Sequence, residues 1–245
     1  MRFEYTEVFN FKGAFRGMRN PKESWNKSDS IFHYAVAKDT KVKAFYPDAI
    51  EAEVVDCCKI GENDLKLAQS LIRAGSEHRK FMRQIFVCVD ITAPLYWWKE
   101  FDTYKVGTVA NSTSTMHKLA STPITIDCFE MNDFEEVEMD CISQYVETTS
   151  DFWDYVINAC EYLRQKYNET KDKRYWKELI RLLPDSWLQR RTVTMNYENL
   201  LVMCSKGQRR NHKLTEWSKS FIDWARSLPY AQQLIFIDEL EDKNV

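Results

Sequence analysis

The run Gln84-Ile-Phe-Val-Cys-Val-Asp-Ile91 is apolar on both alternations, the pattern of a central strand covered on two faces. Three shorter runs precede it: Ile31-Phe-His-Tyr-Ala-Val-Ala37, Val42-Lys-Ala-Phe-Tyr46 and Glu53-Val-Val-Asp-Cys-Cys58. Each predicts a strand. A helical period intervenes, with Leu65, Ala68, Leu71 and Ile72 on one face, Asn63 or Asp64 as its cap and Gly75 as its stop. After Ile91 the period changes again, with Thr92 as a helix cap and Pro94 in the first helical turn.

The later part of the chain reads as helical. Phe152, Tyr155, Val156, Ala159 and Leu163 predict an amphipathic helix reaching about residue 167, and residues 174–183 form another that Pro184 stops. Two more are expected over 194–205, broken at Gly207, and over 213–227, ending before Pro229. The acidic stretch from Asp127 to Asp140 reads as a solvated connection. No repeat or composition break divides the chain. The expected fold class is α+β: one domain over 1–245, a central mixed or antiparallel sheet flanked by helices, and a helical C-terminal half.

Composition narrows the function classes. The 245 residues are 44% hydrophobic and 14% aromatic, with only 6 Gly and 6 Pro, which fits a globular chain and not a disordered one. A formal charge of -3 lacks the basic excess of a binder of nucleic-acid polymers. No segment approaches the ~18 uncharged apolar residues of a membrane span. The seven cysteines are odd in number and show no C-x-x-C spacing, and the first residues carry no apolar leader. These features predict reduced thiols and a cytoplasmic location. The four histidines are scattered, and none pairs with a cysteine at zinc-ligand spacing.

Three constellations remain. In the first, Ala93-Pro94-Leu95-Tyr96-Trp97-Trp98 leads through Glu100, Asp102, Tyr104 and Lys105 to Gly107 and the hydroxyl-rich Thr108, Asn111, Ser112, Thr113, Ser114 and Thr115. Short donors and freed backbone amides in one bend suit phosphate oxygens; the plainer reading is a polar turn capping its own backbone. The second is Leu183-Pro184 followed by Arg190, Arg191, Thr194, Asn196, Glu198 and Leu200, where adjacent arginines offer a phosphate fork or a surface charge pair. In the third, Lys206, Arg209, Arg210, His212 and Lys213 place positive charge where a helix is expected to open.

These segments, in this order, resemble the flavin-dependent thymidylate synthases. That family reads approximately as an H-E-(T/S)-P-(F/L)-E-H element, a strand, A-P-x-Y, and a helix entering R-H-R-x-x-S-x-N-x-x-S-x-R. Here Leu71 through Gly75-Ser76-Glu77-His78 to Arg83 occupies the first element, Ala93-Pro94-Leu95-Tyr96 matches A-P-x-Y, Thr103-Tyr104-Lys105 stands at R-H-R, and 108–114, with one extra residue before Asn111, stands at the serine-asparagine run. Leu183 to Leu200 is similar to the family's L-P…R…T-x-N-x-R-S-L, and Gln208 to Glu216 to its closing R-x-x-x-(N/H)-A-Q-W-E. The similarity spans about residues 61–226. The departures are specific: both arginines of R-H-R are absent, Met116 with His117 beside it takes the place of a substrate arginine, Glu198 replaces another, and Glu100 replaces a glutamine.

The resemblance implies reductive methylation of dUMP to dTMP with FAD, NADPH and methylenetetrahydrofolate, in a homotetramer with shared active sites. It implies Ser114 and Lys105 at the reacting centre and His78, Tyr104, Lys105, Asn111, Asn196 and His212 at the flavin. Glu100, Ser112, Ser114, Arg190, Arg209 and Arg210 would hold a dUMP-like pyrimidine nucleotide. The lost arginines leave two alternatives open: an inactive or altered homologue that binds flavin or nucleotide, and an enzyme acting on another pyrimidine nucleotide, with Glu100 accepting a hydrogen bond from an amino-bearing ring.

Overall fold

A computed structural model describes residues 1–37, 53–114, 118–143 and 145–241. The predicted strand at 42–46, and Thr115, Met116 and His117, lie outside the described residues. Strand β1 (Arg2–Phe9) precedes a hairpin of β2 (Ile31–Ala37) and β3 (Glu53–Lys59), then β4 (Phe86–Pro94), β5 (Val109–Ser112), a small pair β6 (Glu138–Ser143) and β7 (Val146–Thr148), and β8 (Leu188–Asn196). The main sheet has the order β1-β4-β8-β5, and every neighbouring pair is antiparallel.

The sheet has one closed face. Val87, Val89, Ile91 and Ala93 of β4 are fully buried, whereas Phe86, Cys88 and Asp90 on the other face are only half-covered. The two-sided cover expected of this strand is therefore one-sided among the described residues. Against the closed face pack α1 (Phe11–Met18), α2 (Glu62–Arg73), α3 (Leu95–Phe101) and the C-terminal segments. Trp97, Trp98, Trp217, Tyr197, Phe15 and Phe221 are the largest side chains of this core.

A second, smaller core holds Leu119, Ile124, Phe129, Cys160 and Leu179. It lies under α4 (Thr149–Thr170) and α5 (Lys173–Leu182). Phe152 and Tyr155 were expected on the buried stripe of α4 but are 42% and 69% exposed. The stripe that packs is Trp153, Val156, Ile157, Cys160 and Leu163. Thr148 opens α4 through a capping box with Asp151.

Three further local expectations are corrected. Thr92 stays in β4, and α3 begins after Pro94 with no side-chain cap. Its first amides, on Leu95 and Tyr96, donate instead to the carbonyls of Trp187 and Asp185 at 3.1 and 3.0 Å, so the orphan donors of a helix start are met by neighbouring backbone. Neither Asn63 nor Asp64 caps α2; both of their amides donate to the carboxylate of Asp29. Finally, Thr194 to Asn196 end β8, and helix α6 spans only Tyr197–Met203.

Candidate active-site cleft

Strand β4 feeds α3 directly, and α3 ends at Phe101, so Tyr104, Lys105 and Gly107 arrive close to the junction of β8 and α6. There Asn196 caps α6 in a reciprocal box with Asn199: each side chain accepts from the other's backbone amide, at 3.0 and 3.1 Å. Asn199 Nδ2 also donates to the carbonyl of Val106 at 2.6 Å. Gly107 follows in the left-handed region at φ +81, and a Cβ there would stand 2.8 Å from Asn196 Nδ2. Only glycine allows this approach of the loop to the cap.

The result is a cleft of about 740 Å³ with Tyr104, Lys105 and Gly107 facing Asn196, Glu198, Asn199 and Val202, closed by Arg83 and Phe86. Two of the three sequence constellations thus meet in one space. Glu198 is the pivot of its charge. Arg79 Nε donates to it at 2.9 Å, and Arg83 donates through Nε and, at 3.3 Å, through Nη2. Burial works to raise the carboxyl's pKa, but the hydrogen bonds from Arg83 and Arg79 outweigh it and hold the group below its ordinary range.

The third constellation adjoins this cleft through aromatic stacking. Trp217 packs against Tyr104 at 5.5 Å and against His212 at 5.0 Å and 11°. Gln208 Nε2 donates to Tyr104 Oη at 2.8 Å, and burial raises the phenol pKa, with Glu100 adding to the effect. His212 Nδ1 accepts from the Leu214 amide at 3.2 Å, which leaves Nε2, 3.7 Å from Glu100 Oε1, as the face turned to that carboxylate. Glu100, Gln208 and His212 line a shallower hollow of about 490 Å³.

The hydroxyl-rich bend meets the double arginine along the sheet edge. Ser112 pairs with Arg191 and Asn111 with Thr192, and the Thr113 amide donates to the Arg190 carbonyl at 2.9 Å. The two arginines do not form a fork, because neighbours on a strand face opposite ways. Arg190 points to the open face and binds Asp90 at 3.1 Å through Nε, with Glu4 at 3.4 Å. Thr192 and Arg190 in turn hold the Asp90 carboxyl below its usual range. Arg191 lies on the core side, over Trp98 at 4.2 Å, and bonds Asp102 at 2.9 Å.

The remaining expected residues stand apart. His78 is exposed and lines a separate cavity of about 1130 Å³ beside Met18, Leu71 and Phe81. Of the basic residues Lys206 opens a helix, α7 (Lys206–Asn211), but Arg209 and Arg210 occupy its last turn. Arg209 is taken up by the Cys204 carbonyl, Asp238 and Glu239, while Arg210 is exposed. Ser114 borders residues outside the described set, and its carbonyl accepts from the Lys118 amide at 3.1 Å. Sequence reasoning missed Arg83 and Arg79 altogether. Their spacing of four, read together with the arginine-to-glutamate change at Glu198, was the available signal.

Among solved structures, Thymidylate Synthase X (ThyX) from Helicobacter pylori with FAD and dUMP aligns with 97% of this chain and 98% of its own, at a TM-score of 0.63 and 14% identity. The chain has the flavin-dependent thymidylate synthase fold. A second structure of flavin-dependent ThyX from Helicobacter pylori, complexed with FAD and dUMP, gives a TM-score of 0.60 at 13% identity, over 97% of this chain and 99% of that one. The UMP/dUMP methylase PolB from Streptomyces cacaoi, bound with 5-Br dUMP, is more distant: 0.48 at 14% identity, over 72% of this chain and 82% of that one. No protein-family model matches the chain, and no curated protein does. The resemblance read from the motifs and the fold of the ThyX structures therefore agree. In this thymidylate synthase fold, Ala93-Pro94-Leu95-Tyr96 marks the turn from β4 into α3 that carries Tyr104 and Lys105 to the cleft.

Proposed function

We infer that this chain is a divergent flavin-dependent thymidylate synthase, converting dUMP to dTMP with FAD, NADPH and methylenetetrahydrofolate. The observation that carries the reading is the meeting of Tyr104 and Lys105 with Asn196 in one cleft, from segments that only the resemblance had linked. Full-length agreement of the fold with ThyX supports it.

The cleft residues fit a flat ring that bears negative charge. Phe86, Val202 and the Tyr104 ring supply apolar surface, Asn196 and Asn199 supply amides, and Arg83 and Lys105 supply positive charge. Gly107 keeps the cleft open where any larger residue would close on Asn196. A bound flavin supplies the hydride chemistry; the chain binds, orients and excludes water. In this reading Tyr104, Lys105 and Asn196 hold the flavin side, with Asn111 and His212 nearer its periphery, while His78 lies in a separate cavity. Lys105 and Ser114 stand at the reacting centre, and Glu100, Ser112 and Arg210 face the nucleotide. A homotetramer with shared sites belongs to the same proposal, and the open sheet face, with Phe9 and Val109 at 45% and 74% exposure, offers apolar area for it.

A second reading has its own support. Arg190, Arg191 and Arg209 are each engaged by carboxylates of the chain itself, which favours a homologue that binds flavin or a pyrimidine nucleotide without turnover. Purified protein incubated with FAD, NADPH, methylenetetrahydrofolate and dUMP separates the two. Visible flavin absorbance with dTMP formation supports the synthase, and absorbance without product supports the binder. Colourless protein that takes up no added FAD rejects the synthase and the flavin binder, and leaves only the nucleotide binder. Replacing dUMP by dCMP tests the remaining alternative at Glu100.

A further inference from the structure

The arginines missing from the end of α3 have a counterpart in the same cleft. Arg83 enters from the turn Lys80–Gln84 that precedes β4, and it lines the cleft together with Lys105. Its side chain is 47% exposed, and the guanidinium is fixed on one side by Glu198 and, at 3.3 Å, by the Ser76 carbonyl. Among the described residues its Nη1 makes no hydrogen bond, and Lys105 makes no ion pair. Arg79 shares the same carboxylate from a neighbouring hollow, so the lining of the cleft itself carries two cations, Arg83 and Lys105, and one carboxylate, Glu198. The cleft is positive in a chain whose formal charge is -3. An arginine held through Nε and Nη2, with Nη1 open, is pre-set to give an oxyanion a charge-assisted hydrogen bond from Nη1.

We propose that Arg83 and Lys105 are the anion-binding pair of this chain and take the phosphate of a nucleoside monophosphate, with Glu198 and Ser76 keeping Arg83 on the cleft wall. The charge has changed sides: where the resemblance implies an arginine, position 198 carries a carboxylate, and the guanidinium comes from position 83. This rests on the reading of the cleft as an active site that flavin and nucleotide share, and gives the nucleotide phosphate the two cations which that reading set beside the flavin ring; it does not rest on turnover.

Calorimetric titration of the full chain with dUMP, 2′-deoxyuridine, FAD and riboflavin tests it. Wild-type protein is expected to bind dUMP more tightly than the nucleoside. Arg83→Ala and Lys105→Ala should each weaken dUMP by about 10- to 100-fold, the worth of a charged hydrogen bond, while leaving 2′-deoxyuridine unchanged. Arg83→Lys, which keeps the charge and loses the fork, should fall between. Equal losses for nucleotide and nucleoside would reveal a merely structural role and overturn the proposal. So would dUMP affinity unmoved by either variant, wild-type indifference to the phosphate, or a loss that falls on FAD relative to riboflavin and spares dUMP. If the wild type binds dUMP as expected yet takes up no FAD and forms no dTMP, the synthase reading fails and the phosphate pair stands.

Discussion

Tyr96 donates its phenol proton to the carboxylate of Glu216, a group only 6% exposed. The two residues come from the first constellation and from the closing element Gln208 to Glu216, so this bond ties the start of α3 to the π-helical segment Glu216–Phe221. Burial, then the Glu216 hydrogen bond, push the Tyr96 pKa well above its ordinary value, and the ring remains a donor throughout the neutral and mildly alkaline range. Tyr96→Phe leaves a buried carboxylate short of a donor. It should cost about 1.5–3 kcal/mol in urea unfolding. Glu216→Gln, which still accepts from Tyr96, should cost less; equal losses in both would contradict the pairing.

Arg19 and Asp64 make a comparable tie on the other side of the core. Asp64 is fully buried and Arg19 4% exposed, and Asp64 also accepts from the hydroxyls of Ser28 and Ser30 and from the Ser30 amide. Asp64→Ala strands a buried guanidinium, and breaking such pairs typically costs about 3–5 kcal/mol. Thermal and denaturant unfolding of this variant should show that loss. A change under about 1 kcal/mol would mean that water reaches the site.

Acid should weaken the protein through Glu161. Hydrogen bonds from Arg164, opposed by burial and helped by the Ile124 amide, hold its pKa at about 2, against 4.5 for the free group. A depressed carboxylate stabilises fully above its unfolded value and loses that contribution as the pH falls toward the folded one. The window is therefore from about pH 4.5 down to about 2, with an upper limit of ~3 kcal/mol. Glu161→Gln should flatten the decline of stability across this range. An unchanged acid slope would remove Glu161 from the account.

Two glycines offer a controlled comparison. Gly75 at φ +103 has open space where a Cβ would go, whereas Gly107 at φ +81 would bring one against Asn196 and Asn199. Gly75→Ala should cost about 1 kcal/mol from backbone conformation alone. Gly107→Ala should cost about 1–2 kcal/mol more and loosen the α6 cap, lowering ligand affinity in the cleft. Equal melting temperatures would argue against a close approach at Gly107.

The elements with a strong period were legible: β2, β3, α2, β4 and α5 stand close to where the pattern puts them. Strand β8 was not. Its Thr192-Val193-Thr194-Met195 alternates as a strand does, but the Leu200-Leu201 run that follows drew the expected helix back to 194. The cap of α2 was hidden for another reason, since Asp29 reaches it from a distant loop. In the cleft, Tyr104, Lys105 and Asn196 were readable from their motifs, while Arg83 was not, because its place depends on how the turn before β4 meets Glu198.

Arg190 and Arg191 sit side by side in the chain and on opposite sides of the sheet. They are consequently free to vary independently. A change at 190 alters the electrostatics of the outer surface, whereas a change at 191 removes the ion that covers Trp98 and anchors the end of α3. Descendants of this sequence can therefore retune one surface without disturbing the packing beneath it.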